Sequence, residues 1–479
     1  MTNARLPVAI LIAGLIAYGV MLYRHLSFGA GGSDSSGYLN EARLMVSGRM
    51  IRPIAMLQTL HLTSEWGHVF LPLGFLSAPH DGRRMVPSYP PGLPAHFAVA
   101  GWIGGWSVAP FLVPLLAGLT SLALMFVLAR QFGLSPWNAL AASAILGICP
   151  IFLFMSAQPM SDIVATVWSI AAIVCALAAE KKPMMAAAAG AAFAIGVCIR
   201  PSNMLLAIAV GFALRWRVSR LAIAVAAATP FAIALMVWNN ALFGNPLRTG
   251  YGDMDYMLSW ANYHERFPHY TYWLAVQLSP LIFPGGLLVA FDRRVESWRR
   301  ALLLSWFVPF FVFYCFYGAY ETWWYTRFLL PAIPPLIIGF FLLIRDLRTP
   351  RVVMAILVVA ILAVALREDR KIRPLAVGEG ESIYPEVVHW AEQRLPPDAL
   401  VVTHGFSGSF LYYSGRSIVR WDQLDQDQFE LLRAYVGAAN LRWYALVSSE
   451  EFMEVQTRMP GVWTPIGTHR YMTLYRLDS

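Results

Sequence analysis

Charge is what this chain has least of. Only 13% of its 479 residues are Asp, Glu, Lys or Arg, while 58% are hydrophobic and the mean hydropathy is +0.54. Soluble domains carry about a quarter charged residues, so this composition excludes an ordinary soluble protein. Cysteine is scarce too. Cys149, Cys175, Cys198 and Cys315 all lie in apolar segments without metal-ligand spacing, which leaves the polar segments without disulfides. No basic run interleaves with aromatics on a soluble face, which argues against nucleic acid as a partner. There is no glycine-rich nucleotide loop, internal repeat or low-complexity tract. His61, His68 and His80 stand too far apart for a recognisable metal site.

What is present is a series of apolar blocks, each long enough to cross a hydrocarbon core of ~30 Å as a helix. The first, Pro7–Tyr23, follows a single basic residue and has no clear cleavage site, so it reads as a retained span. A long polar connection, 24–106, comes next, and then a span near 108–128. Further spans are expected near 138–155, 161–179, 184–199, 202–214, 220–238, 272–291, 301–318, 328–344 and 352–366, about eleven in all. Short connections rich in Lys and Arg alternate with poorer ones, which puts the N-terminus in the cytoplasm and the 24–106 connection outside. The net charge of +8 is therefore a topology signal. An odd number of spans leaves the C-terminus outside as well.

The expected fold class is a polytopic α-helical membrane bundle of about 11 spans, with a long first outer loop and a small C-terminal α/β domain. Residues 1–370 form the membrane domain, including outer loop 24–106. From about residue 371 to 479 charge density becomes ordinary, and helix-like runs alternate with short strand-like ones such as Ala399–Thr403, Trp443–Val447 and Tyr471–Leu477.

The most informative stretch is Gly31–Gly48, GGSDSSGYLNEARLMVSG, which carries the first carboxylate, Asp34, just after the first span. Tyr38, Ala42 and Met45 follow at helical spacing. Asp34 is either a helix N-cap or a reactive carboxylate at the mouth of the bundle, and the two roles are compatible. The run SYPPGLPAHF enters a short apolar helix, Leu93–Gly104, suited to the membrane surface. Arg200 in CIRPSN and Arg327 in YETWWYTRFLLP sit at span ends on the outer side. Each either reaches to the interface or grips a phosphate. Asp162 is a helix N-terminal partner or a second acid, and Asp253 with Asp255 beside Tyr251 form either a solvated loop or a hydroxyl or cation site.

The order of these pieces resembles the GT-C superfamily of polytopic glycosyltransferases, which includes protein mannosyltransferases and the lipid A aminoarabinose transferase. The match runs through SDSSGYLNEARLM, YPPGLP, PMSD, RPSN, FGNPLRTGY and WWYTRFLLPAIP, and is strongest to bacterial members with an RgtA/B/C/D-like domain. The resemblance implies inverting transfer of a hexose or pentose from a polyprenyl-phosphate carrier to a glycan, lipid or protein acceptor outside a bacterial cytoplasmic (inner) membrane. It gives Asp34 the catalytic acid's place, Asp162 or Glu41 that of a second acid, and Arg327 and Arg200 the carrier phosphate. Tyr38, Tyr89, Tyr251, Asp253, Glu321 and Tyr325 become candidate substrate contacts. Many relatives carry two adjacent acids in the first loop, and here Asp34 stands between serines. A divalent cation, Mg or Mn, is accordingly an open expectation. The competing reading is a transporter or flippase of lipid-linked sugar, which would favour broken helices in related halves and midplane charges.

Overall fold

Long apolar runs free of breakers become helices because a lipid-facing backbone must satisfy its own polar groups. The computed structural model, which describes residues 5–252, 257–346 and 350–478, follows that rule. Seven described helices are long and apolar enough to cross a membrane. They are Arg5–Arg24, Ala109–Gln131, Ser161–Ala178, Val218–Phe243, Trp260–Phe291, Ser297–Phe316 and Trp323–Arg345. The chain is thus a multi-pass helical membrane protein with a small C-terminal sheet region.

The expected eleven spans meet these helices with differences that have local causes. The segment read as one span near 138–155 is two helices, Pro136–Gly147 and Pro150–Ser156, bent by 68°. Pro150 cannot continue the preceding helix, and Cys149 before it is extended. The segment expected at 202–214 begins as a 3₁₀ turn, Pro201–Leu206, before the short helix Ala207–Ala213. The helix Met185–Ile199 is 15 residues long, and Arg351–Ile372 is charged toward its end. The connection expected over 239–270 is shorter, because helices reach Phe243 and restart at Trp260.

The chain divides into two compact units: Met1–Leu26, Phe111–Leu235 and Asp253–Val377 form one, and Ser27–Pro110, Met236–Gly252 and Gly378–Ser479 the other. The first is the helical bundle. One close crossing joins Trp260–Leu288 to Ile333–Asp346, where a Cβ on Gly339 would stand 2.6 Å from the Gly286 carbonyl oxygen. Small residues are what allow two membrane helices to approach so closely. Nearby, Ser279 breaks the first of these helices with φ 75°, immediately before Pro280.

The second unit holds two sheets. In the first, β1 (Arg52–Pro53), β2 (Phe75–Ala78) and β3 (Asp81–Pro87) run antiparallel in the order β1-β3-β2. The second contains β4 (Ala399–Val402), β5 (Ile418–Val419), β6 (Arg442–Ser448), β7 (Trp463–His469) and β8 (Met472–Leu477), in the order β5-β4-β6-β8-β7. Here β4 pairs in parallel with β5 and β6, while β8 pairs antiparallel with β6 and β7. One apolar core joins Leu57, Val69, Phe70 and Met85 to Val402, Trp421, Phe429 and Trp443. The C-terminal strands therefore share their interior with the first outer loop, which makes 24–106 a folded element of this unit.

The glycine crossing generates a test. Gly339→Val should force the two helices apart at a cost of about 1–3 kcal/mol. The check is a thermal unfolding midpoint in detergent that falls by several degrees, with insertion unchanged.

Candidate active site

In the second unit, Asp34 opens the helix Asp34–Val46. It is the first helical residue and not the N-cap: Ser33 occupies that position and makes no side-chain capping bond. The capping expectation for Asp34 is thereby corrected, since the preceding Gly31–Gly32 turn places the helix start one residue earlier. Its Oδ1 instead accepts a 2.7 Å hydrogen bond from the Tyr89 hydroxyl, which lies 2.8 Å from Ser33 Oγ. Because the single Tyr89 proton goes to the carboxylate, Ser33 is the donor to Tyr89. Burial and the neighbouring Asp34 charge push the Tyr89 phenol well above its ordinary range, so it remains a proton-bearing donor.

Tyr38 stacks at a tilt on Tyr89, with centroids 4.5 Å apart, and Tyr251 meets Tyr89 edge-on at 6.4 Å. Gly37 permits this, because any Cβ there would collide with the Tyr89 ring. Gly250 similarly lies against the backbone of Ser88 and carries Tyr251 to the group. Three candidate contacts far apart in sequence thus gather on one another, and one of them, Tyr89, holds the carboxylate. Glu41 lies two turns along the same helix, fully buried, and neither carboxylate oxygen finds a hydrogen-bond partner among the described residues. Burial raises its pKa well above the usual carboxylate range. Asp253 and Asp255 lie outside the described residues.

In the first unit, Asp162, Arg200 and Arg327 come together. Asp162, 1% exposed, bonds Arg200 Nη1 through Oδ1, and its Oδ2 lies 4.0 Å from Arg327 Nη1. Arg200 follows the Met185–Ile199 helix in extended conformation, donates across 3.3 Å to the Tyr314 hydroxyl, and lies over the Phe328 ring. Tyr314 donates in turn to Ser202 Oγ at 2.7 Å. The Arg327 guanidinium lies 5.5 Å from the Tyr325 centroid and 5.1 Å from that of Phe328. Glu321 is exposed, within electrostatic range of His269.

Sequence reasoning missed Arg266. It is 7% exposed, and its Nη2 reaches Glu265 at 3.1 Å, yet Nε and Nη1 have no hydrogen-bond partner among the described residues. The buried Tyr270 hydroxyl one turn on is also unpartnered among them, and interacts electrostatically with both Arg266 and Tyr314. Unmet donors on a buried guanidinium are costly, and an anion would satisfy them. The available signal was a lone arginine at the polar end of a long apolar helix, as at Arg200. It was obscured because HERFPHYTY was assigned to a connection.

For the divalent cation, no three His, Cys, Asp or Glu side chains among the described residues gather closely enough to hold a metal. Asp34 offers one carboxylate, bonded to the Tyr89 hydroxyl, and the other candidates, Asp253 and Asp255, lie outside those residues.

The fold and these two centres define a polytopic membrane protein with the GT-C fold. Solved structures similar to it include ArnT from Cupriavidus metallidurans in the apo state, which matches at 12% identity and TM-score 0.59 over 98% of this chain and 97% of that one. The same protein bound to undecaprenyl phosphate matches at 14% identity and TM-score 0.58 over the same shares. The Archaeoglobus fulgidus oligosaccharyltransferase in its apo form matches at 12% identity and TM-score 0.52, over 98% of this chain and 74% of that one. No family model matches the chain, and no curated protein sequence does.

Glu381 supplies a pH test of the site's surroundings. It packs against Gly31, and burial pushes its carboxyl up to about 7. The native state then holds the proton more tightly than the unfolded chain, so stability from this group is full below about pH 4.5 and declines until about pH 7. The difference in unfolding midpoint between wild type and Glu381→Gln should move in the variant's favour across that window and level off above it.

Proposed function

We propose that this chain transfers a sugar from a polyprenyl-phosphate carrier to an acceptor outside the bacterial cytoplasmic membrane, with inversion at the anomeric carbon. The observation that carries this reading is a buried guanidinium with unmet donors: Arg266 is 7% exposed, and its Nε and Nη1 have no hydrogen-bond partner among the described residues. A phosphate whose tail runs into lipid supplies acceptors for such nitrogens and suits a bidentate guanidinium. The GT-C fold supports the same reading, and the similar ArnT structure bound to undecaprenyl phosphate shows that this fold accommodates such a lipid.

In this mechanism Asp34 is the general base. It removes the proton from an acceptor hydroxyl as that oxygen bonds to the anomeric carbon. The bond from that carbon to the phosphate oxygen breaks, and its electron pair leaves with the polyprenyl phosphate. The arginines stabilise the charge growing on the leaving phosphate, which is where fixed cations in a low-dielectric site have most effect. Tyr89 orients Asp34, the buried Tyr38 backs Tyr89, and the half-buried Tyr251 offers a ring to a sugar. Asp162 holds the arginines in place and carries no proton in this scheme. Glu41, sealed from solvent, is likewise given no transfer step. No step is routed through a metal. The N-terminus lies in the cytoplasm, and residues 371–479 lie outside together with the Asp34 segment.

Native mass spectrometry with undecaprenyl phosphate, followed by turnover of radiolabelled undecaprenyl-phosphate sugars in nanodiscs, tests the assignment. Arg266→Met should release the lipid and slow transfer by about 10²–10³-fold. Asp34→Asn should keep the lipid and slow transfer by about 10²–10⁴-fold. Full transfer by Asp34→Asn removes the base. Lipid movement across the bilayer without sugar transfer favours the flippase.

A further inference from the structure

Open α/β sheets take their ligands at the carboxyl ends of parallel strands, where successive connections leave in opposite directions. The C-terminal sheet has such a point. From β4 the chain passes through the helix Ser407–Tyr413 to β5 on one side, then returns to β6 on the other. The turn at the end of β4 reads THGFSGS, residues 403–409. Its small polar residues are the kind that cradle a ligand, yet Ser407 and Ser409 are fully buried.

What they hold is the segment that carries Asp34. Ser409 Oγ donates to the Ala30 carbonyl at 2.6 Å, and Asn40 Nδ2 donates to the Gly408 carbonyl at 2.9 Å. Ser407 Oγ accepts from the Leu73 amide at 3.0 Å, and the Tyr413 hydroxyl accepts from the Ala30 amide at 2.8 Å. A residue beyond these, Arg43, donates to the Tyr412 carbonyl and lies over the Tyr412 ring at 3.6 Å. Between Ala30 and Asn40, Gly408 lies directly against Ser36. A Cβ at Gly408 would collide with Ser36 Oγ and stand 2.9 Å from Ser36 Cβ.

We propose that the Ser407–Ser409 turn, at the end of β4 where such sheets bind small ligands, is a built-in clamp that positions Asp34. Gly408 is its key positioning residue. The ligand place of the C-terminal fold is filled by the protein's own chain, which accounts for a separate α/β element in a membrane bundle without a second substrate. Asp34 lies between the two anchor points, Ala30 and Asn40, so a shift of the turn is passed to the carboxylate.

The importance of Asp34 rests on the glycosyl-transfer reading, but the clamp is measurable without it. Hydrogen exchange of the full-length protein in nanodiscs should show residues 30–40 exchanging at least about tenfold faster in Gly408→Ala, with the β4 and β6 amides unchanged. Adding Ser36→Gly, which removes the colliding atoms, should restore protection. Transfer should follow the same course: kcat falls in Gly408→Ala with KM held, and recovers in the double variant. If Gly408→Ala does not fold, Ser409→Ala, which removes the bond to Ala30, should speed exchange at residues 30–34. Unchanged exchange in Gly408→Ala, or loss of protection shared by β4 and β6 and not rescued by Ser36→Gly, overturns the clamp. Intact exchange effects with no transfer by wild type overturn the enzyme reading and leave the clamp standing.

Discussion

A carboxylate 1% exposed within an apolar bundle, Asp162, is the constraint on which the first unit depends. Such a group is tolerated only with a close, well-directed cation. Arg200 supplies it, and Arg327 stands on the other oxygen. Three separate pieces of chain are thereby fixed to one another: the start of Ser161–Ala178, the break after Met185–Ile199, and the turn Trp323–Ala332. Each piece is irregular or newly begun at that position, and a continuous helix could not turn these side chains onto a single point. The proline after Arg200 and the 3₁₀ geometry around Arg327 are what make the meeting possible.

Arg266 is the contrasting case: Glu265 takes one of its nitrogens, and Nε and Nη1 have no hydrogen-bond partner among the described residues. A purely structural ion pair tends toward neutrality, because unpaired buried charge is strongly unfavourable. The arginine that Asp162 does satisfy lies against aromatic walls, with Tyr314 and Phe328 beside Arg200.

Much of the fold was legible because its governing signal is local. Apolar runs specify helices by length and composition, and Ala109–Gln131 or Ser161–Ala178 fall close to where hydropathy puts them. The failures lie where long-range packing decides. The sheet β1-β3-β2 went unread because Phe75–Pro87 is short and rich in charge. Its apolar residues gain partners from distant segments, as Met85 does in the core it shares with Trp443 and Val86 does against Leu242 and Phe243. The gathering of Tyr38, Tyr89 and Tyr251 could be suspected from their polar-aromatic settings, but Gly37 as the gap that admits the Tyr89 ring could not. The ion pair of Arg200 has no local signature, because its acid is 38 residues earlier. Arg266 was hidden because its helix begins at Trp260, well before the apolar span expected from 272.

Asp34, half-buried at the first residue of a helix, has no side-chain capping bond from Ser33. Its local restraint is the turn that the Ser36 and Gly37 amides close on the Gly31 and Ser33 carbonyls. A base in the proposed role needs its oxygen held to within a fraction of an ångström, which calls for further restraint from elsewhere in the chain. In the second unit it comes from both sides: Tyr89 on the carboxylate itself, and the β4 turn with Tyr413 on the backbone before and after it. Gly29 and Gly31 fit this arrangement, since a Cβ at either would strike Glu381 or Tyr384. These glycines are thus what allow the C-terminal residues to approach and hold it.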